Sequence, residues 1–206
     1  KKQEAAAVAK AKPEAFLDDQ TRQALAPVLN RFTNPILLRL YKDDSHLSQE
    51  DEKMVRELSE ISDKVKFEII QASEGMEHTI AICNAEGEDL GLHFHGVPGG
   101  HEFNSFILAM YNAGKDAEAR VAAINEKKHL NIAVSLSCTM CPDLVAAAER
   151  IAAGNKNITV DVYDLAHYPD MQQKYNIMSV PCMIVNDDDV HFGKKNVTEL
   201  LDILHA

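Results

Sequence analysis

The order in which apolar patterns recur along this chain leaves few ways to fold it. From Asp18 to Phe32 the residues Leu25, Val28, Leu29 and Phe32 return at helical spacing, with Asp18, Asp19 and Thr21 as entry caps and Pro27 as a bend. The apolar run Ile36 to Tyr41 follows Pro35 and reads as a buried strand. A helix is predicted over Ser48–Ile61, with Ser48 and Asp51 in capping-box-like positions and Met54, Val55, Leu58 and Ile61 on one face. Strands are expected at Val65–Ile70, His78–Cys83 and Leu90–His95, the last two joined by the turn Asn84-Ala85-Glu86-Gly87. A helix over His101–Tyr111 closes this half and is stopped by Asn112-Ala113-Gly114.

Nearly the same succession then repeats. It runs as a helix over 116–128, a strand over Ile132–Leu136, a helix to Ala153, a strand over Ile158–Tyr163 and a short helix over Tyr168–Tyr175. Strands at Met183–Val185 and Val190–Phe192 and a helix over Asn196–Leu204 complete it. Strand, helix, strand, hairpin and helix, twice over, predict an α/β fold of two tandem units, each a mixed sheet flanked by helices. The expected boundaries are 1–15, a Lys/Ala-rich linker or frayed helix joined to something upstream, then units over 16–114 and 115–206.

Composition narrows the function. The chain has 206 residues, 46% of them hydrophobic, which is enough to fill a core without disulfide staples, so its four cysteines point to a reducing, cytoplasmic setting. A formal charge of −11 opposes phosphate backbones and argues against nucleic-acid binding. No apolar stretch reaches the roughly 18 residues that cross a bilayer. The acidic runs Glu50-Asp51-Glu52 and Asp187-Asp188-Asp189 read as solvated helix and turn positions.

The chemistry lies in Cys138-Thr139-Met140-Cys141, placed between a predicted strand and a predicted helix. Two cysteines separated by two residues in a first helical turn can close a small disulfide loop. Cys138, at the helix mouth, is the expected nucleophile, because unpaired N–H groups and the helix dipole lower a thiol pKa below its usual value of about 8.5. Cys141, one turn inside, is the expected resolving thiol, and Pro142 stands where a missing N–H costs little. Thr139 and Met140 are expected to face the substrate and tune the potential. Downstream, Ser179-Val180-Pro181 precedes a strand, so Pro181 is expected to be cis and to face the cysteines, with the Val180 backbone holding an extended partner segment. This is the thioredoxin arrangement.

The same residues admit other readings. A zinc or iron–sulfur half-site would need further ligands, which no second cysteine pair provides, although Cys182 follows Pro181 closely. Cys182 and Cys83 are otherwise small core residues of strands. His93, His95 and His101 are a conceivable metal set, since alternate strand positions share a face, but the strand supplies no acidic third ligand, so no metal is predicted. A free-standing glutaredoxin-like disulfide reductase and a non-catalytic metal-binding or scaffold module remain the rivals.

Three segments resemble the N-terminal domain of the flavoprotein component of bacterial alkyl hydroperoxide reductase, over Asp18 to the end. They are Ser135-Leu136-Ser137-Cys138-Thr139-Met140-Cys141-Pro142-Asp143, the segment Gly91 to Phe103 with its Gly-His-Glu-Phe, and Ser179-Val180-Pro181. The resemblance implies a tandem of two thioredoxin folds, the first without its cysteine pair; here the loop after the first strand is Lys42-Asp43-Asp44-Ser45. It also implies a thiol–disulfide oxidoreductase that takes electrons from a thioredoxin-reductase-like flavin module and passes them to a peroxiredoxin or other disulfide partner. FAD and NAD(P)H would belong to that module, covalently linked or separate, and not to this chain. Glu102 matches a carboxylate that assists proton transfer at the cysteine pair, although a Glu in a first helical turn is also favoured by the dipole alone. Where the family's first repeat has a Pro before its third strand, this chain has Glu77-His78-Thr79.

Overall fold

A computed structural model describes residues 15–114 and 123–205. The first half contains α1 (Asp19–Leu29), β1 (Ile36–Lys42), α2 (His46–Ile61), β2 (Val65–Gln71), β3 (Thr79–Asn84), β4 (Asp89–His95) and α3 (Glu102–Ala113). The second contains β5 (Lys128–Val134), α4 (Cys141–Gly154), β6 (Ile158–Asp164), α5 (Pro169–Lys174), β7 (Cys182–Val185), β8 (Asp189–Phe192) and α6 (Val197–Leu204). The expected leader lies, apart from Ala15, outside the described residues, and so does most of the helix expected over 116–128. The described end of that segment, 123–127, is not helical, and strand begins at Lys128, four residues earlier than expected. Pairing is the reason: every residue of β5 has a partner on β6, and Leu130 to Ala133 also pair with β7.

The eight strands form one sheet in the order β2-β1-β3-β4-β6-β5-β7-β8. Each half repeats a single plan, with a parallel pair (β1 with β2, β5 with β6), then an antiparallel strand on the other edge of the first, then that strand's hairpin partner. The two expected mixed sheets are therefore halves of one, fused where β4 runs parallel to β6 from Leu92↔Val160 to His95↔Tyr163. Gly91 lets the strands meet: its φ is +72°, and a Cβ there would lie 2.9 Å from Thr159 Cγ2 and 3.0 Å from the Ile158 carbonyl oxygen.

Packing follows from the apolar pattern. Ile36, Leu38 and Leu40 of β1 are buried on one face, in a continuous core with Met54, Val55 and Leu58 of α2. The start of α2 differs from expectation. Ser45, not Ser48, is the N-cap, its hydroxyl accepting from the Ser48 N–H at 3.2 Å. The earlier start turns Ser48 and Asp51 inward, and both are fully buried. Asp51 is thus not a solvated acid: neither carboxylate oxygen has a partner among the described residues, and burial pushes its pKa well up. Its neighbours Glu50 and Glu52 do behave as surface charges, pairing with Lys53 and with Lys42 and Arg56. Asp187, Asp188 and Asp189 are exposed, as the sequence suggests. At the far end, Asn196 and Glu199 close a reciprocal capping box that starts α6.

Candidate active site

Strand β5 delivers the chain to a turn, and α4 leaves that turn at Cys141. The turn is closed by the Cys138 N–H, which donates to the Ser135 carbonyl at 2.9 Å. Cys138 and Cys141 are joined as a disulfide with Cα atoms 5.5 Å apart. The helix begins at Cys141 and not at Cys138, so the outer cysteine stands ahead of the first turn, at the mouth of the helix. Cys141 is fully buried, Cys138 is partly buried, and Thr139 and Met140 are exposed.

Two features favour a thiolate on Cys138 once the bond opens. The Cys141 N–H donates to Cys138 Sγ at 3.1 Å, and the sulfur stands at the N-terminal end of α4, where the helix dipole favours negative charge. Pro142, in the first turn of α4, removes a donor that has no helical partner there.

The Val180–Pro181 peptide is cis, as the sequence predicts, and the Val180 carbonyl oxygen lies 4.0 Å from Cys138 Sγ. Pro181 is buried just ahead of β7, and its carbonyl accepts from the Gly193 N–H at 2.9 Å. Cys182, the first residue of β7, is fully buried, as is Cys83 in β3; burial pushes both thiols up to about 11. Both match their expected place as core residues of strands.

Glu102 is 1% exposed at the start of α3. The turn before it packs on the segment leading to Cys138: the His101 N–H donates to the Leu136 carbonyl at 3.2 Å, and Gly100, at φ +54°, approaches that carbonyl so closely that a Cβ would lie 2.6 Å from it. One carboxylate oxygen of Glu102 accepts from the Ser105 hydroxyl, and the other has no partner among the described residues. Burial pushes Glu102 up to about 7, against the lowering pull of Ser105 and with a further upward push from Asp164.

A second buried acid is not among the sequence candidates. Glu149 of α4 is fully buried, neither oxygen is partnered among the described residues, and burial followed by the charge of Glu102 pushes its pKa well up. The sequence does carry its signal: at i+8 from Cys141 it falls on the stripe that Cys141, Leu144, Val145 and Ala148 bury.

The first half carries hydroxyls where the second has sulfurs. Ser45 and Ser48 keep the three-residue spacing at the start of α2, and both hydroxyl oxygens lie 3.1 Å from His78 Nδ1, just ahead of β3. Hydroxyls cannot form a redox bond, so this end of the sheet holds a hydrogen-bonded cluster. His93 and His95 do share a face and meet Asp161 of β6, while His101 is exposed at the α3 N-cap and belongs to no such group among the described residues.

Residues 128–205 match a family profile described as the thioredoxin domain. The chain is 32% identical over 193 residues to the F component of alkyl hydroperoxide reductase from Xanthomonas campestris pv. phaseoli, covering 90% of this chain and 36% of that protein. It therefore spans about a third of that relative's length. Among solved structures, the NTD_N/C domain of alkylhydroperoxide reductase AhpF from Enterococcus faecalis superposes with a TM-score of 0.84 at 30% identity, covering 91% of this chain and 99% of that one. A protein disulfide oxidoreductase from Aeropyrum pernix shares the fold, with a TM-score of 0.77 at 20% identity over 91% of each chain. At 30% identity and with near-complete coverage of the enterococcal domain, the chain belongs to the family of the thioredoxin-fold N-terminal domain of the alkyl hydroperoxide reductase AhpF.

Proposed function

We propose that this chain relays electrons, two at a time, from a linked thioredoxin-reductase-like flavin module to a peroxiredoxin or comparable disulfide partner, in a reducing cytoplasm. The observation that carries the reading is the Cys138–Cys141 disulfide at the mouth of α4, with the Val180 carbonyl 4.0 Å from its outer sulfur. The share of the full-length relative that lies beyond this chain supports a linked module. When bound in that module, FAD and NAD(P)H would supply the electron pairs.

In the outgoing half-reaction the Cys138 thiolate attacks one sulfur of the partner disulfide. A Cys138–partner bond forms, the partner's internal S–S bond breaks, and its second sulfur leaves as a thiolate that takes a proton. Cys141 then loses its proton and attacks Cys138 Sγ, which restores the internal disulfide and releases a reduced partner. Two electrons have moved, and the partner's two sulfurs take up two protons, one given up by Cys141 and one from solvent, to which Cys138 lost its own on becoming a thiolate. Glu102, near 7 and next to the His101 N–H that bonds the segment leading to Cys138, suits the proton transfers, because it can give or take one at neutral pH. Thr139 and Met140, exposed between the sulfurs, and Val180 with Pro181 would receive the partner chain, the Val180 backbone pairing with it as an added strand.

Single-turnover mixing tests this. The chain, reduced and freed of reductant, is expected to convert an oxidised peroxiredoxin to its dithiol with one equivalent consumed per disulfide. A chain that reduces insulin freely but leaves the peroxiredoxin disulfide untouched would instead be a general, glutaredoxin-like reductase.

A further inference from the structure

Where β4 meets β6, three side chains converge on one point. His93 and His95 alternate onto the same face of β4, and Asp161 is the direct cross-strand partner of His93. His93 Nδ1 lies 3.0 Å and His95 Nε2 2.5 Å from the same oxygen, Asp161 Oδ1, and all three ligand atoms lie within 4.8 Å of one another. The sequence places no acid in a strand Leu90–His95, which is why it predicts no metal; β4 in fact begins at Asp89, whose carboxylate takes the outer nitrogen of His93, and the acid at the shared point comes from the neighbouring strand.

We propose that His93, His95 and Asp161 bind a divalent transition metal, zinc in the first instance, that clamps the two halves of the sheet. Two imidazoles and a carboxylate are a donor set that zinc accepts, at ligand distances of roughly 2.0–2.2 Å. A tetrahedral ion at those distances separates its ligand atoms by roughly 3.3 Å, so the two imidazoles would draw back from the carboxylate oxygen by less than about 1 Å and close on each other from a separation of at most 4.8 Å.

The far side of each imidazole is already fixed. His93 Nε2 faces Asp89 Oδ2 at 2.9 Å, and His95 Nδ1 faces the Thr79 hydroxyl at 3.0 Å. These contacts hold one ring nitrogen of each His and aim the other at the shared point, as carboxylate or hydroxyl partners do behind metal-bound imidazoles. His95 is further pinned by stacking on Tyr163, with centroids 4.1 Å apart and planes 6° from parallel. An ion pair by itself needs one imidazole. Two converging on a single carboxylate oxygen, each braced from behind, are the arrangement a three-ligand site requires.

A fourth position and an entry path are also present. His129 Nε2 lies 3.7 Å from Asp161 Oδ2, and the His129 side chain is 40% exposed at the rim of a groove of about 500 Å³ lined by Asn131, Tyr163, Tyr168 and Tyr175. Water entering from that groove can complete the tetrahedron. The clamp involves no sulfur and is separate from the disulfide chemistry.

The oxidised protein is the sample to test, since its disulfide ties up Cys138 and Cys141 and leaves only buried thiols. Calorimetric titration with zinc is expected to show one equivalent bound, with a higher thermal midpoint. Cobalt(II) in its place is expected to give visible d–d bands without a thiolate charge-transfer band. His95→Asn and Asp161→Asn are each expected to weaken binding by at least about tenfold, while a Cys138→Ser, Cys141→Ser double variant binds as the parent does. No saturable binding by the oxidised parent protein would overturn the proposal, and so would a thiolate band or affinity undiminished in the two ligand variants. The parent titration and cobalt spectrum decide the matter even if a ligand variant fails to fold.

Discussion

Cys138 Sγ lies 4.0 Å from the Val180 carbonyl oxygen across 42 positions of sequence. The contact puts the sulfur that leads the exchange beside a backbone able to pair with a partner segment, and it sets unequal tasks for the two cysteines. Cys141, fully buried, is reached by Cys138 and not by a folded partner. Cys138→Ser is therefore expected to abolish reduction of any disulfide, whereas Cys141→Ser is expected to attack once and stop, accumulating a covalent complex with the partner. Intact-mass measurement of the mixtures checks this; sustained turnover by Cys141→Ser would show that Cys138 works without a resolving thiol.

Glu102 links stability and rate to pH. Its folded pKa of about 7 is raised above the ordinary 4.5, so the native state favours the protonated acid. The stability it contributes is complete below 4.5 and is lost as pH rises through about 7. Glu102→Gln, which carries no charge at any pH, is expected to flatten the stability profile over that window, as measured by denaturant midpoints. If the carboxyl also moves protons for the cysteines, the variant exchanges disulfides about 10²-fold more slowly near neutrality, at the low end of general acid–base effects. A flattened profile with an unchanged exchange rate would confine Glu102 to a structural role.

Apolar side chains lie exposed inside the disulfide loop and on the segment that leads to the cis proline. Met140 is 50% exposed and Met178, two residues before Val180, is 78% exposed. Burying either against a protein partner is worth about 1 kcal/mol, or about fivefold in affinity. Met178→Ser is expected to raise KM for a protein disulfide by that order while leaving the rate with a small aromatic disulfide unchanged, whereas Met140→Ser, between the sulfurs, is expected to change both. An equal loss with both substrates in Met178→Ser would point to altered sulfur chemistry instead of lost docking.

Gly100 makes a closer backbone approach than Gly91, and it does so near the site. At φ +54°, with a Cβ position 2.6 Å from the Leu136 carbonyl oxygen, it cannot become Ala without moving either the Glu102 turn or the approach to Cys138. Gly100→Ala is expected to destabilise the fold by about 1–3 kcal/mol and to slow exchange. Gly193, at φ +80° with open space around its Cβ position, provides the control: Gly193→Ala keeps only the conformational penalty of about 1 kcal/mol and leaves exchange unaffected. Urea unfolding of the two variants, run beside the parent, separates steric from conformational cost.

Local pattern is sufficient for the order of most described elements and for the cysteine pair, because each depends on residues a few positions apart; the segment 123–127, expected to end a helix, is not helical, and a cis Val180–Pro181 bond is expected only from the fold around it. Helical stripes such as Met54, Val55 and Leu58, the turn at Asn84 to Gly87 and the capping box at Asn196 are all short-range signals. The start of α2 shows where such signals stop: Ser45 and Ser48 are equally good caps on local grounds, and only packing against the sheet chose the first.

What the sequence determined by itself, then, is a repeated α/β plan with a redox dithiol at one helix mouth, since periodicity and CxxC spacing are properties of the unfolded string. Tertiary structure decided which strands adjoin and what lies beneath them. The fusion of β4 to β6, the burial of Glu102, Glu149 and Asp51, and the meeting of His93, His95 and Asp161 all join residues far apart in the chain. Desolvation and ligand geometry act through space, so these residues acquire their chemistry only when the sheet closes.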